Sequence, residues 1–210
     1  MENKKGLFIT FEGADGCGKT TQIERLNNYL KEKNYETIVT LEPGGSEIGK
    51  KLRQILLHHD GFVSNKAEMF LYLADRAQHV DEIVKNGVEA GKIILSDRHT
   101  DSFVAYQGYA RGGDIERINL LNDIATSGFK PDLTFVFDVE TEVAQKRVGE
   151  TKDRLEGEGF EFHKKVRMGY LELAKKYPQR IKVINANLSI EDVFEQVKKI
   201  IDEILWKNYF

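Results

Sequence analysis

The chain has 210 residues, of which 40% are hydrophobic and 31% charged, and its 31 Lys plus Arg against 34 Asp plus Glu leave a net charge of −3. That length suits one domain with a substantial core, and the composition excludes a disordered tail, a collagen-like repeat and a nucleic-acid binder carried by basic excess. No apolar run approaches the roughly 20 residues of a membrane span, the opening Met1-Glu2-Asn3-Lys4-Lys5 has no apolar signal core, and the single cysteine, Cys17, can make neither an internal disulfide nor a cysteine-based zinc site. The expectation is a reduced, cytoplasmic protein of one continuous domain, residues 1–210, with no nucleic-acid or membrane partner.

In chain order, residues 6–11 (GLFITF) read as a strand. A glycine-rich turn follows, then a helix carrying Ile23, Leu26 and Leu30 at helical spacing. Residues 37–41 (TIVTL) form the second predicted strand. Phe70, Leu73, Ala77, Val80 and Val84 step by three or four behind an N-cap at Ser64 or Asn65, which predicts a long helix. Residues 93–95 (IIL), 133–137 (LTFVF) and 181–184 (IKVI) complete the strands. Between the last two lies a polar, glycine-punctuated segment, 149–159, that fits no element; a long polar loop in a compact domain is usually functional. The final helix shows one stripe, Ile190, Val193, Phe194, Val197, Ile200, Ile201 and Ile204, behind the capping box Ser189-x-x-Asp192. Near-continuous apolar strands alternating with helices predict an α/β fold: a five-stranded parallel sheet with helices on both faces.

The turn after the first strand, Gly13-Ala14-Asp15-Gly16-Cys17-Gly18-Lys19-Thr20, matches the phosphate-loop pattern G-x-x-x-x-G-K-[ST] at every fixed position. Average residue usage puts a chance match at about one in a hundred for a chain of this length. Glycines let successive backbone N–H groups turn toward phosphate oxygens, and the helix N-terminus adds a positive dipole end. Residues 13–21, Thr21 included, are thus the candidate triphosphate-binding loop, with Lys19 reaching the β and γ phosphates and Thr20 a candidate magnesium ligand. Cys17 fills a small-residue slot at a helix start, where a thiol pKa tends to fall, but the reading favoured for this lone cysteine is a space-filling side chain with no chemistry.

Several classes share this loop. A guanine-specific switch carries N-K-x-D, whereas Asn65-Lys66-Ala67-Glu68 lacks the Asp, and a transporter ATPase needs a longer chain. A kinase of a small phosphorylated acceptor needs arginines outside the loop to neutralise two anions brought together. Arg98 lies just past the third predicted strand, at its carboxyl end, where ligands of open α/β sheets bind. Arg154 lies on the polar segment, and Arg76 shares a helix face with Tyr72.

The strings Phe11-Glu12-Gly13-Ala14-Asp15-Gly16, Glu42-Pro43-Gly44-Gly45-Ser46, Tyr72-Leu73-Ala74-Asp75-Arg76, Asp97-Arg98-His99, Ala105-Tyr106-Gln107-Gly108, Pro131-Asp132-Leu133-Thr134 and Asp153-Arg154-Leu155-Glu156 resemble, in order, the motif series of thymidylate kinases. The resemblance covers nearly the whole chain and implies a homodimeric nucleoside-monophosphate-kinase fold with a lid at about 149–159. The implied activity is magnesium- and ATP-dependent phosphorylation of dTMP to dTDP. By the family pattern Asp15 would bond the acceptor's 3′-hydroxyl, Tyr72 stack on thymine, Arg76 bond the base and Arg98 hold the acceptor phosphate. Tyr106 would crowd the 2′ position, while Gln107 and Ser102 are similar to base- and phosphate-side groups, respectively. Glu42-Pro43 corresponds to a place where the family often has a cis peptide. Lys19, Arg98, Arg154 and then Arg147 are the candidate catalytic cations, and His99 is read as structural. Asp97 would either help hold hydrated magnesium or orient Arg98; Glu12 is similarly open, and Lys152 is a weaker lid cation. Two departures stand out: Leu41 occupies the place of an arginine common in the family, and Gly16 replaces a phosphate-loop arginine, as in the bacterial-type subgroup. Another nucleotide kinase, or an ATP-binding module that has lost transfer, are the alternative readings.

Overall fold

The computed structural model describes residues 6–148 and 158–209. Arg154, Lys152 and nearly all of the predicted lid lie outside the described residues. The five strands form one all-parallel sheet, β1 (Leu7–Glu12), β2 (Thr37–Leu41), β3 (Ile93–Asp97), β4 (Leu133–Asp138) and β5 (Ile181–Asn185), in the order β2-β3-β1-β4-β5. Each predicted strand is present, and β3 runs two residues further than its apolar core, through Ser96 and Asp97. Strand β1 is central, with Phe11 opposite both Asp97 of β3 and Phe135 of β4. The chain leaves β1 toward one edge and leaves β3 toward the other, so the carboxyl ends of β1 and β3 flank a crevice suited to a ligand.

The two faces of β1 differ. Leu7, Ile9 and Phe11 pack with Ile23, Leu26 and Leu30 of α1 (Lys19–Glu32) and with Val193, Val197 and Ile201 of α9 (Ile190–Tyr209). Full burial of a side chain such as Leu26 or Leu30 contributes about 1.5–3 kcal/mol. The Ser189 hydroxyl caps α9 by accepting from the Asp192 amide at 3.1 Å, as the capping box predicts. The opposite face begins with Phe8, which packs with Ile94 and Val84, and then turns polar: Thr10 and Glu12 are completely buried. Thr10 pairs with Thr134 of β4 at 2.7 Å, and Asp101 receives both Nη atoms of Arg180 at 2.6 and 2.9 Å. Polar burial of this kind, invisible in the apolar reading of the strands, marks the half of the sheet nearest the crevice.

Helices α2 (Glu47–His58) and α3 (Asn65–His79) pack against one another. Ser64 caps α3, its hydroxyl accepting from the Ala67 amide at 3.2 Å. The predicted apolar stripe of this helix is corrected in one respect, since Phe70 is 58% exposed. A π-helical stretch, Val80–Val84, joins α3 to α4 (Lys85–Glu89) and shifts the phase of the turn, so no single 3.6-residue stripe runs from Phe70 to Val84. The face of α3 that turns inward carries Glu68, Arg76, Asp75 and His79 together with Leu73. After β3 come α5 (Thr100–Phe103), a second π-helical stretch over Val104–Ala110, and α6 (Ile115–Thr126). Helix α7 (Thr141–Arg147) follows β4, and α8 (Phe160–Lys176) packs on the second π-helical stretch. No helix of the described residues is long and apolar enough to cross a membrane.

Candidate active site

The glycine turn between β1 and α1 leaves no room for a side chain at Gly13 or Gly16. Gly16 has φ +79°, and a Cβ there would stand 2.3 Å from the Ala144 carbonyl oxygen; at Gly13, with φ +139°, it would stand 2.7 Å from that of Phe137. Lys19 is buried over the loop and donates to the Gly13 and Ala14 carbonyls, each at 3.2 Å. Thr20 faces a large open cavity of about 1600 Å³, which Thr21, Asp97 and Arg147 also line. Cys17 is 2% exposed, and burial pushes its pKa up against the weaker pull of Lys19, so the helix-start tendency is overridden and the side chain fits the space-filling reading.

A second cavity of about 730 Å³ opens beside the first, lined by Tyr72, Arg76, Ser102, Tyr106 and Gln107 among others. Asp15, Glu42, Arg53 and Arg98 line both cavities and so stand at their junction. The guanidinium of Arg98 points at the glycine turn. It donates to the Gly13 carbonyl at 3.1 Å, to Ser102 Oγ at 3.0 Å and to Asp15 Oδ1 at 2.5 Å. Burial raises the Asp15 carboxyl, but the Arg98 and Lys19 cations prevail and hold it well below the usual carboxylate range.

Arg98 is also strained, with φ +70° at a residue that has a Cβ. Such conformations persist where their surroundings over-determine them. Here the Arg98 amide donates to the Phe11 carbonyl at 2.9 Å, the Ser96 hydroxyl donates to the Arg98 carbonyl at 2.9 Å, and the His99 amide donates to Glu12 Oε1 at 2.8 Å. Glu12 Oε2 receives the Ser102 hydroxyl at 2.5 Å, so Glu12 holds both His99 and Ser102 in the segment that follows Arg98. Burial, then the Asp101 charge, push the Glu12 carboxyl up to about 7.

Arg76 is 2% exposed and fixed on three sides. Its Nε donates to Glu42 Oε2 at 2.9 Å, Nη1 to Asn122 Oδ1 at 2.9 Å and Nη2 to the His99 carbonyl at 3.1 Å. The other Glu42 oxygen meets Nδ1 of both His79 and His99 at 2.8 Å. Burial would raise the Glu42 carboxyl, but His99 and Arg76 hold it well below its ordinary value. His99 is fully buried with its pKa lowered by burial, as a structural histidine would be. Tyr106 donates to Asp15 Oδ2 at 3.3 Å, between Arg98 and the rest of the cavity. The Glu42–Pro43 peptide is cis.

Sequence reasoning missed Arg53 and Glu42. Arg53 sits in Lys50-Lys51-Leu52-Arg53, which looks like the solvated face of α2, yet its Nη1 donates to the Pro43 carbonyl at 2.8 Å and its side chain reaches both cavities. Leu41, at the position lacking the family's arginine, lines the larger cavity as Arg53 does. Glu42 carried a signal only through Arg76, 34 residues further along the chain: a buried guanidinium needs a carboxylate, and Arg76 had no partner in its own helix.

Asp97 Oδ1 is buried and has no hydrogen-bond partner among the described residues. It lies at the end of β3 in the same cavity as Thr20, an oxygen pair suited to a hard, hydrated cation. Arg98 takes its hydrogen bonds from other groups, so orientation of Arg98 by Asp97 is confined to charge.

The thymidylate kinase family model matches residues 11–197. A thymidylate kinase of Maridesulfovibrio salexigens is 48% identical over 209 residues, covering 94% of this chain and 96% of that one. One from Thermoanaerobacter sp. is 48% identical over 200 residues, covering 93% and 98%. The crystal structure of thymidylate kinase from Ehrlichia chaffeensis superposes with a TM-score of 0.76 at 35% identity, covering 93% of this chain and 98% of that chain. The phosphate loop, the arginine at the junction and the parallel sheet beneath them agree with these matches, and the chain belongs to the thymidylate kinase family.

Proposed function

We propose that the protein transfers the γ-phosphoryl group of ATP to dTMP, giving dTDP and ADP. The observation that carries this reading is Arg98, held at the junction of two cavities with its guanidinium on the phosphate loop. ATP occupies the larger cavity with its phosphates in loop 13–21, and dTMP the smaller one. Tyr72 stacks on thymine, Arg76 donates to the base, Asp15 accepts from the 3′-hydroxyl and Tyr106 crowds the 2′ position. Ser102 serves the phosphate side by holding Arg98, and Gln107 faces the base. Arg53 is a second cation for the acceptor phosphate.

The acceptor phosphate is largely dianionic at neutral pH, since its second pKa is about 6, so the reaction needs no strong base. A phosphate oxygen of dTMP attacks the γ-phosphorus as the bond to the β,γ-bridging oxygen breaks and ADP departs. Lys19 and Arg98 supply fixed positive charge to the transferring group, with Arg147 and Arg154 as the further cations. Thr20 and Asp97, which line the same cavity, would hold magnesium, and the ion would supply Lewis-acid charge to the triphosphate.

Exposed apolar side chains on α2 (Ile48, Ile55), α3 (Phe70) and α6 (Leu120, Ile124) support a homodimer, because α3 packs against both α2 and α6 and so brings the three helices together. A coupled ADP-release assay with a panel of nucleoside monophosphates tests the activity. Turnover dependent on dTMP is expected; turnover with another acceptor, or ATP binding without turnover, replaces this reading. Arg98→Ala should lower turnover by about 10²–10³-fold, the usual cost of one preorganised donor.

A further inference from the structure

Glu68 has no place in the phosphate-transfer machinery, yet it is completely buried on the inward face of α3. Gln107 Nε2 donates to its Oε1 at 2.5 Å, and Arg111 Nε stands 3.5 Å from the same oxygen, which keeps a cation beside the carboxylate. Gln107 is itself buried and lines the acceptor cavity. We propose that Glu68 is a positioning residue for base selection: it fixes the Gln107 amide so that the carbonyl oxygen, not the NH2, is offered to the acceptor base. The inference rests on the assignment of the smaller cavity to dTMP.

An amide can present either a donor or an acceptor to a ligand, and nothing in its shape decides which. A carboxylate accepts only, so a buried carboxylate beside the amide decides it: the nitrogen turns to Glu68 and the oxygen to the cavity. Arg76, whose guanidinium can only donate, lines the same cavity. The wall therefore offers the base one donor and one acceptor. Thymine answers with an acceptor at O4 and a donor at N3–H. Cytosine reverses both, with a donor amino group at C4 and a bare acceptor at N3, and would set donor against donor and acceptor against acceptor. Uracil has the same edge as thymine, so this device rejects cytosine and is blind to the 5-methyl group.

The test is kcat/KM for dTMP, dCMP and dUMP in wild type, Glu68→Gln, Gln107→Met and the double variant, with thermal melting to report folding. Glu68→Gln keeps the size but lets the Gln107 amide turn either way. It should lower the dTMP-to-dCMP preference by about tenfold or more, the usual worth of one correctly polarised buried hydrogen bond, through KM rather than kcat. The dTMP-to-dUMP ratio and KM for ATP should stay as in wild type. Gln107→Met should lose the same preference, and adding Glu68→Gln to it should change nothing further. An unchanged dTMP-to-dCMP ratio in folded Glu68→Gln overturns the proposal. So does an unchanged ratio in Gln107→Met, which decides the matter even where Glu68→Gln fails to fold. A wild-type protein without dTMP turnover overturns the underlying assignment instead, whatever the variants do.

Discussion

Arg98 shows how a single residue concentrates the chemistry. Its positive φ costs roughly 1–3 kcal/mol, and hydrogen bonds from Ser96, to Phe11 and through Glu12 hold it in place. Glu12 carries a measurable cost of its own. Its carboxyl titrates near 7 in the folded protein against 4.5 ordinarily, because burial opposes its charge. The folded state thus binds more protons than the unfolded chain between these values. The contribution is fully present below about pH 4.5 and is lost as pH rises through about 7. Against Glu12→Gln, the wild type should lose up to about 3 kcal/mol across that window and change little above it. Denaturant melts of both proteins at pH 4.5 to 8 check this; a constant difference would show that Glu12 titrates normally.

At the scale of elements, two π-helical stretches do work that regular helices would not. Over Val104–Ala110 the consecutive residues Tyr106 and Gln107 both line the acceptor cavity. An α-helix turns successive side chains by about 100°, and the wider π turn brings them closer to one face. Helix α3 performs two tasks on opposite sides, with Arg76 and Glu68 inward and Phe70 outward. The outward side is where the proposed dimer would close. Phe70→Glu should convert the dimer to monomer at micromolar concentration without loss of secondary structure, as read by sedimentation and circular dichroism. A wild-type monomer, or a variant that stays dimeric, removes this face from the interface.

The whole molecule places two like-charged ligands end to end, and charge must converge from separate parts of the chain to permit it. Lys19 comes from the first crossover, Arg53 from the second, and Arg98 from the end of the central strand pair. Arg154 is proposed for this set on its motif alone, since it lies outside the described residues. Arg154→Ala is predicted to lower turnover by about 10²-fold or more while leaving dTMP affinity near its wild-type value, as a lid cation implied by the family resemblance would. Steady-state kinetics beside a dTMP titration separate the two effects, and unchanged turnover removes Arg154 from the transfer step.

The sequence alone determined the five strands, the phosphate-loop turn, the cap of the last helix and the placing of Arg98 beside that turn, because each rests on local periodicity or on a short motif with fixed backbone geometry. Only the tertiary structure decided that Arg53 reaches the cleft, that Glu42 binds Arg76 and two histidines at once, and that Glu68 holds Gln107. It also decided that burial outweighs the helix start at the Cys17 thiol, and it turned Phe70 to the surface. The physical reason is common to all five. The protonation of a thiol, the partner of a buried charge and the direction of an amide depend on which distant groups share the same dry space, and spacing along the chain does not encode that.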